Sequence, residues 1–294
     1  MKTGTVAIVG RPNVGKSTLL NALLGEKIAI VSDKPQTTRM RILGVVHRKD
    51  AQIVVLDTPG IAKPRYRLNR RMVQTALETL READLIYMMV EATAGPGPAD
   101  REVLQYVREA WERRKRPVFL LVNKVDLVRK PRVLPLIDTY RTMLDWSEVV
   151  PLSATAGVNV DRLLELTVKL LPDGDALYGE DVLTDQPMRI LAAELIREKI
   201  LHQTRDEVPY SVAVETEQFK EEGRLARIAA SVWVEKESHK AMIVGKHGQR
   251  LKQIGTDARL EMEQLFGMKV FLELWVKVRP AWRQNEHFLV ELGY

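Results

Sequence analysis

The sequence predicts an α/β domain built on a mostly parallel sheet with helices on both faces, followed by a smaller α+β domain. Three observations carry that expectation. Apolar runs of strand length recur at residues 5–9, 53–56, 85–90, 118–122 and 149–152, with helical stretches between most of them, which is the alternation of βαβ units. Polar motifs follow these runs, at the carboxyl ends of strands where open α/β sheets hold their ligands. From about residue 187 the pattern changes to a helix at 187–202, strands at 210–219 and 224–235, a short helix at 240–244, a helix at 249–266 and a strand at 269–278. A chain of 294 residues accommodates two domains. We place them at 1–172 and 183–294, joined by an acidic linker at 173–182; the breakers Pro172, Asp173 and Gly174 end the last helix of the first domain.

Composition narrows the chemistry. No cysteine is present, which excludes disulfides, thiolate metal sites and a cysteine nucleophile. The five histidines are scattered and lack metal-ligand spacing. No apolar run approaches the roughly 18 residues of a membrane span, and residues 5–9 form a strand pattern with no charged leader before it; both features predict a cytosolic protein. The formal charge of +6 says little alone, but the window from Lys236 to Arg283 holds ten Lys and Arg against five Asp and Glu, a local basic excess that suits an anionic partner.

The first strand leads into Gly10-Arg11-Pro12-Asn13-Val14-Gly15-Lys16-Ser17-Thr18. The spacing Gly-x4-Gly-Lys-Ser lets successive backbone N–H groups and a helix N-terminus face a polyphosphate. Lys16 can meet the β- and γ-phosphates, and Ser17 can give its hydroxyl to Mg2+. The run 53–56 leads into Asp57-Thr58-Pro59-Gly60 and then Ile61; Asp57 can hold Mg2+ through water, and the Gly60 N–H can meet the γ-phosphate. Between them, Gln36-Thr37-Thr38-Arg39 can complete the Mg2+ shell through a threonine hydroxyl. Thr38 is preferred and Thr37 competes, because spacing does not separate them. Loops of this kind are ordered by the γ-phosphate and released on hydrolysis.

A buried run precedes Asn123-Lys124-Val125-Asp126. The Asp126 carboxylate can accept from guanine N1–H and the exocyclic amine, with Asn123 at the opposite base edge. Adenine would leave Asp126 unpaired, and sites with unpaired buried polar groups reject the wrong partner by roughly 10^4 or more. Ser153-Ala154-Thr155 can bring a backbone N–H to guanine O6. GTP and GDP are therefore the expected ligands. A metabolic kinase has no need of this guanine selection, and a passive adaptor has no need of Lys16, Ser17 and Asp57 together.

These motifs, in this order, resemble the translation-factor-related GTPases, and Gly-Arg-Pro-Asn-Val-Gly-Lys-Ser with Gln-Thr-Thr-Arg resembles the Era family of bacterial ribosome-assembly GTPases. The resemblance implies a P-loop GTPase domain, Mg2+-dependent hydrolysis of GTP, and catalytic parts at Lys16, Thr38, Gly60 and Asn13. It implies K+ as a second cation beside Asn13, although local hydrogen bonding of that side chain is an equal alternative. Ile61 stands where Ras-like enzymes carry a water-positioning glutamine, so intrinsic turnover should be slow.

The later elements run helix, strand, strand, helix, turn, helix, strand, and resemble a type II KH domain. Its Gly245-Lys246-His247-Gly248 turn would pack on a single-stranded RNA backbone. Lys246 and His247 would face phosphates, Arg250 and Lys252 would add contacts, and Ile243 and Val244 would floor the bases. Trp275 is assigned to the core face of its strand. The tail Arg279-Pro280-Ala281-Trp282-Arg283 reads equally as an RNA contact and as a cap on the small core. The resemblance makes 16S rRNA and the 30S subunit the expected partners, with RNA binding under nucleotide control, and adds peripheral membrane association. DNA is not an expected partner. A relative acting on tRNA or on a protein complex is the main rival.

Overall fold

A computed structural model describes residues 1–294. The chain divides into two compact units. The first comprises Met1–Ala29, Thr38–Pro64 and Asn69–Asp185; the second comprises Ile30–Thr37, Arg65–Leu68 and Gln186–Tyr294.

In the first unit, β1 (Lys2–Val9), α1 (Lys16–Leu24), β2 (Ile42–Arg48) and β3 (Ala51–Asp57) lead into α2 (Arg67–Glu82), β4 (Leu85–Glu91) and α3 (Pro98–Arg113). The series closes with β5 (Val118–Asn123), α4 (Val133–Arg141), β6 (Glu148–Pro151) and α5 (Val160–Leu170). The six strands lie in the order β2-β3-β1-β4-β5-β6. All neighbours are parallel except β2, which runs antiparallel to β3. Successive side chains of a strand point to opposite faces, and β4 shows the result: Leu85, Tyr87 and Met89 join Leu19, Leu20 and Leu163 in one core layer, while Ile86, Met88 and Val90 join Val103, Val107 and Tyr140 in the other. A sheet buried on both faces reads as continuous apolar runs, which is why those strands stand out in the sequence.

Strand β2 does not stand out, because Gly44 interrupts its apolar run. A Cβ there would come within 2.7 Å of Leu24 and 2.8 Å of Leu20, so α1 packs on this strand only where it has no side chain. The acidic stretch expected to be a linker is also different in the structure. Residues 173–185 belong to the first unit and lie along β2 and β3. Val45 N donates to Leu183 O at 2.8 Å, Gln52 Oε1 accepts from Leu177 N and Tyr178 N at 2.7 and 3.0 Å, and Tyr178 and Val182 pack on Leu43, Val45, Val54 and Leu56. An edge strand with open backbone groups is a liability unless covered, and this segment covers it.

The second unit contains α6 (Met188–Gln203), α7 (Val208–Ser211), β7 (Ala213–Glu222), β8 (Leu225–Val234), α8 (Glu237–Val244), α9 (Gln249–Phe266), β9 (Lys269–Val278) and α10 (Glu286–Glu291). Its sheet has the order β7-β8-β9, antiparallel then parallel. Leu195, Ile196 and Ile200 of α6 and Ile254, Ala258 and Met262 of α9 fill its core, together with Ile30 from far upstream. Helix α6 also binds the segment that carries Ile30: Val31 N donates to Glu198 at 2.9 Å, and the buried Arg197 guanidinium donates to Thr37 O at 2.5 Å.

Two sequence readings are settled here. Trp282 is fully buried and donates to Ser211 O at 2.9 Å, and Arg283 pairs with Glu235 at 2.5 Å, so the tail caps the core. Trp275 is 44% exposed, contrary to the core assignment: Val270 and Val276 set the buried phase of β9, which sends Phe271 and Trp275 to the open face. No helix is long and apolar enough to cross a membrane.

Candidate functional site

The turn between β1 and α1 brings Gly10 to Ser17 to the carboxyl edge of the sheet. Gly15 has φ 101°, and a Cβ on it would lie 2.3 Å from Asn123 Nδ2, so glycine is required by both conformation and space. Lys16 Nζ donates to the carbonyls of Gly10 and Arg11 at 3.3 and 3.1 Å. Burial pushes its ammonium down to about 8, against the attraction of Asp57 and with repulsion from Arg11. An anion seated against Lys16 would favour its charged form further.

Beside Lys16 three oxygen-bearing side chains converge. Ser17 Oγ donates to Asp57 Oδ2 at 2.6 Å and lies 2.7 Å from Thr38 Oγ1. The Thr37 hydroxyl is directed elsewhere, donating to Lys34 O at 2.7 Å. Asp57 is fully buried and its Oδ1 has no partner. Burial pushes its carboxyl up to about 6, opposed by Lys16 and by hydrogen bonds that include Ser17 and Thr38. An orphaned buried acceptor costs about 1–3 kcal/mol. A carboxylate and two hydroxyls are hard oxygen donors of the kind Mg2+ takes together with water, so these residues fit that ion, and a hydrated cation would satisfy Oδ1.

The strand β3 motif continues along the same edge. Thr58 Oγ1 donates to Ile8 O at 2.7 Å, Pro59 is buried, and a Cβ on Gly60 would lie 2.7 Å from Pro12 N. Ile61 donates its N–H to Gly10 O at 3.2 Å while its side chain is buried in the core.

The base-reading loop leaves β5 at Asn123. Its Nδ2 donates to Val14 O at 2.8 Å and its Oδ1 accepts from Ala154 N at 3.0 Å. This amide thus ties its own loop to the phosphate loop and to the loop at 153–155, and a second N–H of Nδ2 lies beyond those two bonds. Lys124 has φ 65° and donates to Asn13 O at 2.8 Å. Val125 N donates to Leu152 O at 3.2 Å, and Asp126 follows, exposed. Ser153 is buried, its Oγ accepting from Ala156 N at 3.1 Å, and Thr155 is exposed.

In the second unit, α8 ends at Val244 and α9 begins at Gln249. Gly245, His247 and Gly248 between them have φ of 71°, 51° and 74°. A Cβ on Gly245 would lie 2.8 Å from Arg250 Cβ, whereas Gly248 faces open space. Lys246, His247, Arg250 and Lys252 are exposed, with Arg250 donating to Met242 O.

A family described as "50S ribosome-binding GTPase" matches residues 5–124, and one described as "KH domain" matches residues 207–283. A GTPase Era from Geobacter metallireducens is 52% identical over 100% of this chain and 98% of its own length; one from Ruminiclostridium cellulolyticum is 48% identical over 100% and 97%. The chain belongs to the Era family of GTPases. Two solved structures, a point variant of Aquifex aeolicus Era bound to GDP.AlF4- and Era with MgGDPNP and nucleotides 1506–1542 of 16S ribosomal RNA, superpose with a TM-score of 0.95 at 46% identity, covering 100% of this chain and 99% of each relative.

Against this Era architecture one sequence reading needs correction. Ile243 is fully buried among Ile254 and Val276 and forms part of the hydrophobic core, because the turn of α8 that precedes Gly245 must anchor to α9. Val244 is half-buried. Glu91 lies outside every Era motif named above yet contacts two of them, and only its place at the end of a strand hinted at a role.

Proposed function

We propose that this Era-family GTPase binds GTP with Mg2+ held by Ser17, Thr38 and, through water, Asp57. It hydrolyses the nucleotide slowly on its own in the cytoplasm and grips 16S ribosomal RNA during 30S subunit assembly. The observation that carries the reading is the Ser17 hydroxyl lying within 2.7 Å of both a Thr38 and an Asp57 oxygen, beside the buried Lys16, which is a donor set suited to a cation and a phosphate together. Gly10 to Thr18 cradle the phosphates, Gly60 gives its N–H to the γ-phosphate, and Asp126 selects guanine. Mg2+ would supply charge neutralisation between the phosphates. The apolar Ile61, buried in the core, has no group to orient an attacking water, which supports slow turnover. Asn13, at φ 64° and exposed on the crest of the loop, is the residue we assign to K+.

The exposed Lys246 and His247 beside the open face of Gly248 favour contact with an RNA backbone, with Arg250 and Lys252 adding positive charge. Nucleotide control of that contact is supported by chain order: Thr37 is anchored by Arg197 in the second unit, and the next residue, Thr38, enters the oxygen cluster. GTP hydrolysis measured with and without a 16S fragment, in K+ and in Na+, tests the reading. Stimulation by RNA and by K+, and a difference in RNA affinity between GTP-analogue and GDP states, are expected. Equal RNA affinity in both states would remove the coupling, and equal rates in both salts would remove the K+ role.

A further inference from the structure

Glu91 is the last residue of β4. One carboxylate oxygen accepts from the Arg11 guanidinium and the other accepts from Lys124 Nζ at 2.7 Å. Arg11 belongs to the phosphate loop and Lys124 to the base-reading loop, so a single side chain joins the two. Each cation is held a second time. Arg11 Nε lies 3.2 Å from Asp100 Oδ1, and Asp100 is itself fixed by accepting from Gly97 N at 3.1 Å where α3 begins. Lys124 Nζ donates onward to Asn13 O at 2.8 Å. Asn13 and Lys124 both have positive φ, 64° and 65°, a region asparagine enters readily but a lysine keeps only when its surroundings impose it. The Glu91 side chain is 16% exposed; burial pushes its carboxyl up, and Lys124 and Arg11 more than reverse this, holding it below its ordinary value.

We infer that Glu91 is a positioning residue that locks the phosphate loop to the base-reading loop, so that recognition of guanine and recognition of phosphate become cooperative. The inference rests on the reading of these loops as a guanine-nucleotide site. Glu91 is placed to act through its partners. With the carboxylate present, Arg11 and Lys124 are drawn to one point and the turns at Asn13 and Lys124 are held in register. Without it, the two cations lose their common partner and each loop relaxes alone.

The test uses the full chain, with melting temperature as the check on folding and release of fluorescent GDP as the main readout. Glu91→Gln keeps the shape and removes the charge, and it should speed GDP release about tenfold, the scale of one lost charge-assisted hydrogen bond. Arg11→Met should lower the preference for GDP over inosine diphosphate, which lacks the exocyclic amine, by about threefold in the native background and leave it unchanged in Glu91→Ala. A side chain with only a packing role would not move base preference from the phosphate loop. If Glu91→Ala does not fold, Glu91→Gln serves as the second background. Release from Glu91→Gln at the native rate, or an Arg11→Met effect of equal size in both backgrounds, overturns the inference. A native protein that retains no GDP would overturn the nucleotide site as well, whereas tight native binding with unaltered Glu91→Gln release overturns the role of Glu91 alone.

Discussion

Asp126, which we propose reads the guanine edge, depends on neighbours that are fixed. Lys124 turns the backbone at positive φ, Val125 is pinned to Leu152, and Asp126 is presented with two acceptor oxygens and no competing donor of its own. Asp126→Asn replaces one acceptor by a donor, so GTP affinity should fall about a hundredfold or more while xanthosine triphosphate, which offers a carbonyl in place of the amine, gains. Competition binding with both nucleotides checks this, and unchanged selectivity would place base recognition elsewhere. A role of this kind can be proposed from sequence because its chemistry is written in short local spacings. Asn123 was legible as a motif member but not as a tie between loops, since Val14 and Ala154 become its neighbours only on folding. Glu91 was legible only as an acidic residue closing an apolar run, a weak signal until Arg11 and Lys124 are brought to it.

At the scale of elements, the turn between α8 and α9 combines a glycine that the fold needs with one that it does not. Gly245 meets Arg250, whereas Gly248 has positive φ with open space around it, and aspartate tolerates that backbone region better than most residues. Gly248→Asp should therefore shift the melting temperature by only a few degrees, roughly 1 kcal/mol, while weakening binding of a 16S fragment at least about tenfold through added bulk and negative charge. Equal RNA affinity with an intact fold would show that this turn is not the contact. Strand β2 gives the complementary case. Gly44→Val drives a branched side chain into Leu20 and Leu24 and should cost about 1–3 kcal/mol of stability, read by denaturant unfolding. The same crowding hid β2 from the sequence, since the feature that lets it pack is the missing side chain that breaks its pattern. Strands β3, β4 and β5, each carrying an unbroken apolar run at 53–56, 85–90 and 118–122, needed no tertiary knowledge to be found.

At the scale of the whole molecule, acid sensitivity has a definable source. His239 is 8% exposed, with Nδ1 3.0 Å from Ser211 Oγ. Burial, aided by Lys236 and Arg283 and opposed by Glu235 and Glu207, holds its imidazole below its ordinary value. The unfolded chain then binds a proton at higher pH than the folded one, so stability conferred by the neutral ring is present above the unfolded value of about 6.5 and is lost as pH falls below it. The difference in stability between the native protein and His239→Gln, followed between pH of about 7 and 5, should show that loss; the buried Asp57 carboxyl, raised to about 6, takes up a proton in the same window with the opposite sign but contributes equally to both proteins. An identical slope in the variant would assign the sensitivity to other groups. Two domains were legible from length and from the change of pattern near residue 187, but their composition was not, because Ile30–Thr37 and Arg65–Leu68 join the second unit across long sequence distances.

The burial of Ile30 in the core of that second unit bears on how the molecule can be dissected. A polypeptide started at residue 186 has the outward signature of a self-sufficient module, yet it lacks one of its own interior side chains. The gap left by an absent isoleucine is worth roughly 2–5 kcal/mol, and the shielded Arg197 and Glu198 would each lose a backbone hydrogen-bond partner. Such a fragment should melt well below the same region in the intact protein, and supplying residues 28–38 as a separate peptide should recover part of the difference. The later half of this chain is finished by polypeptide borrowed from the earlier half's stretch of sequence, so severing the two by number leaves it incomplete.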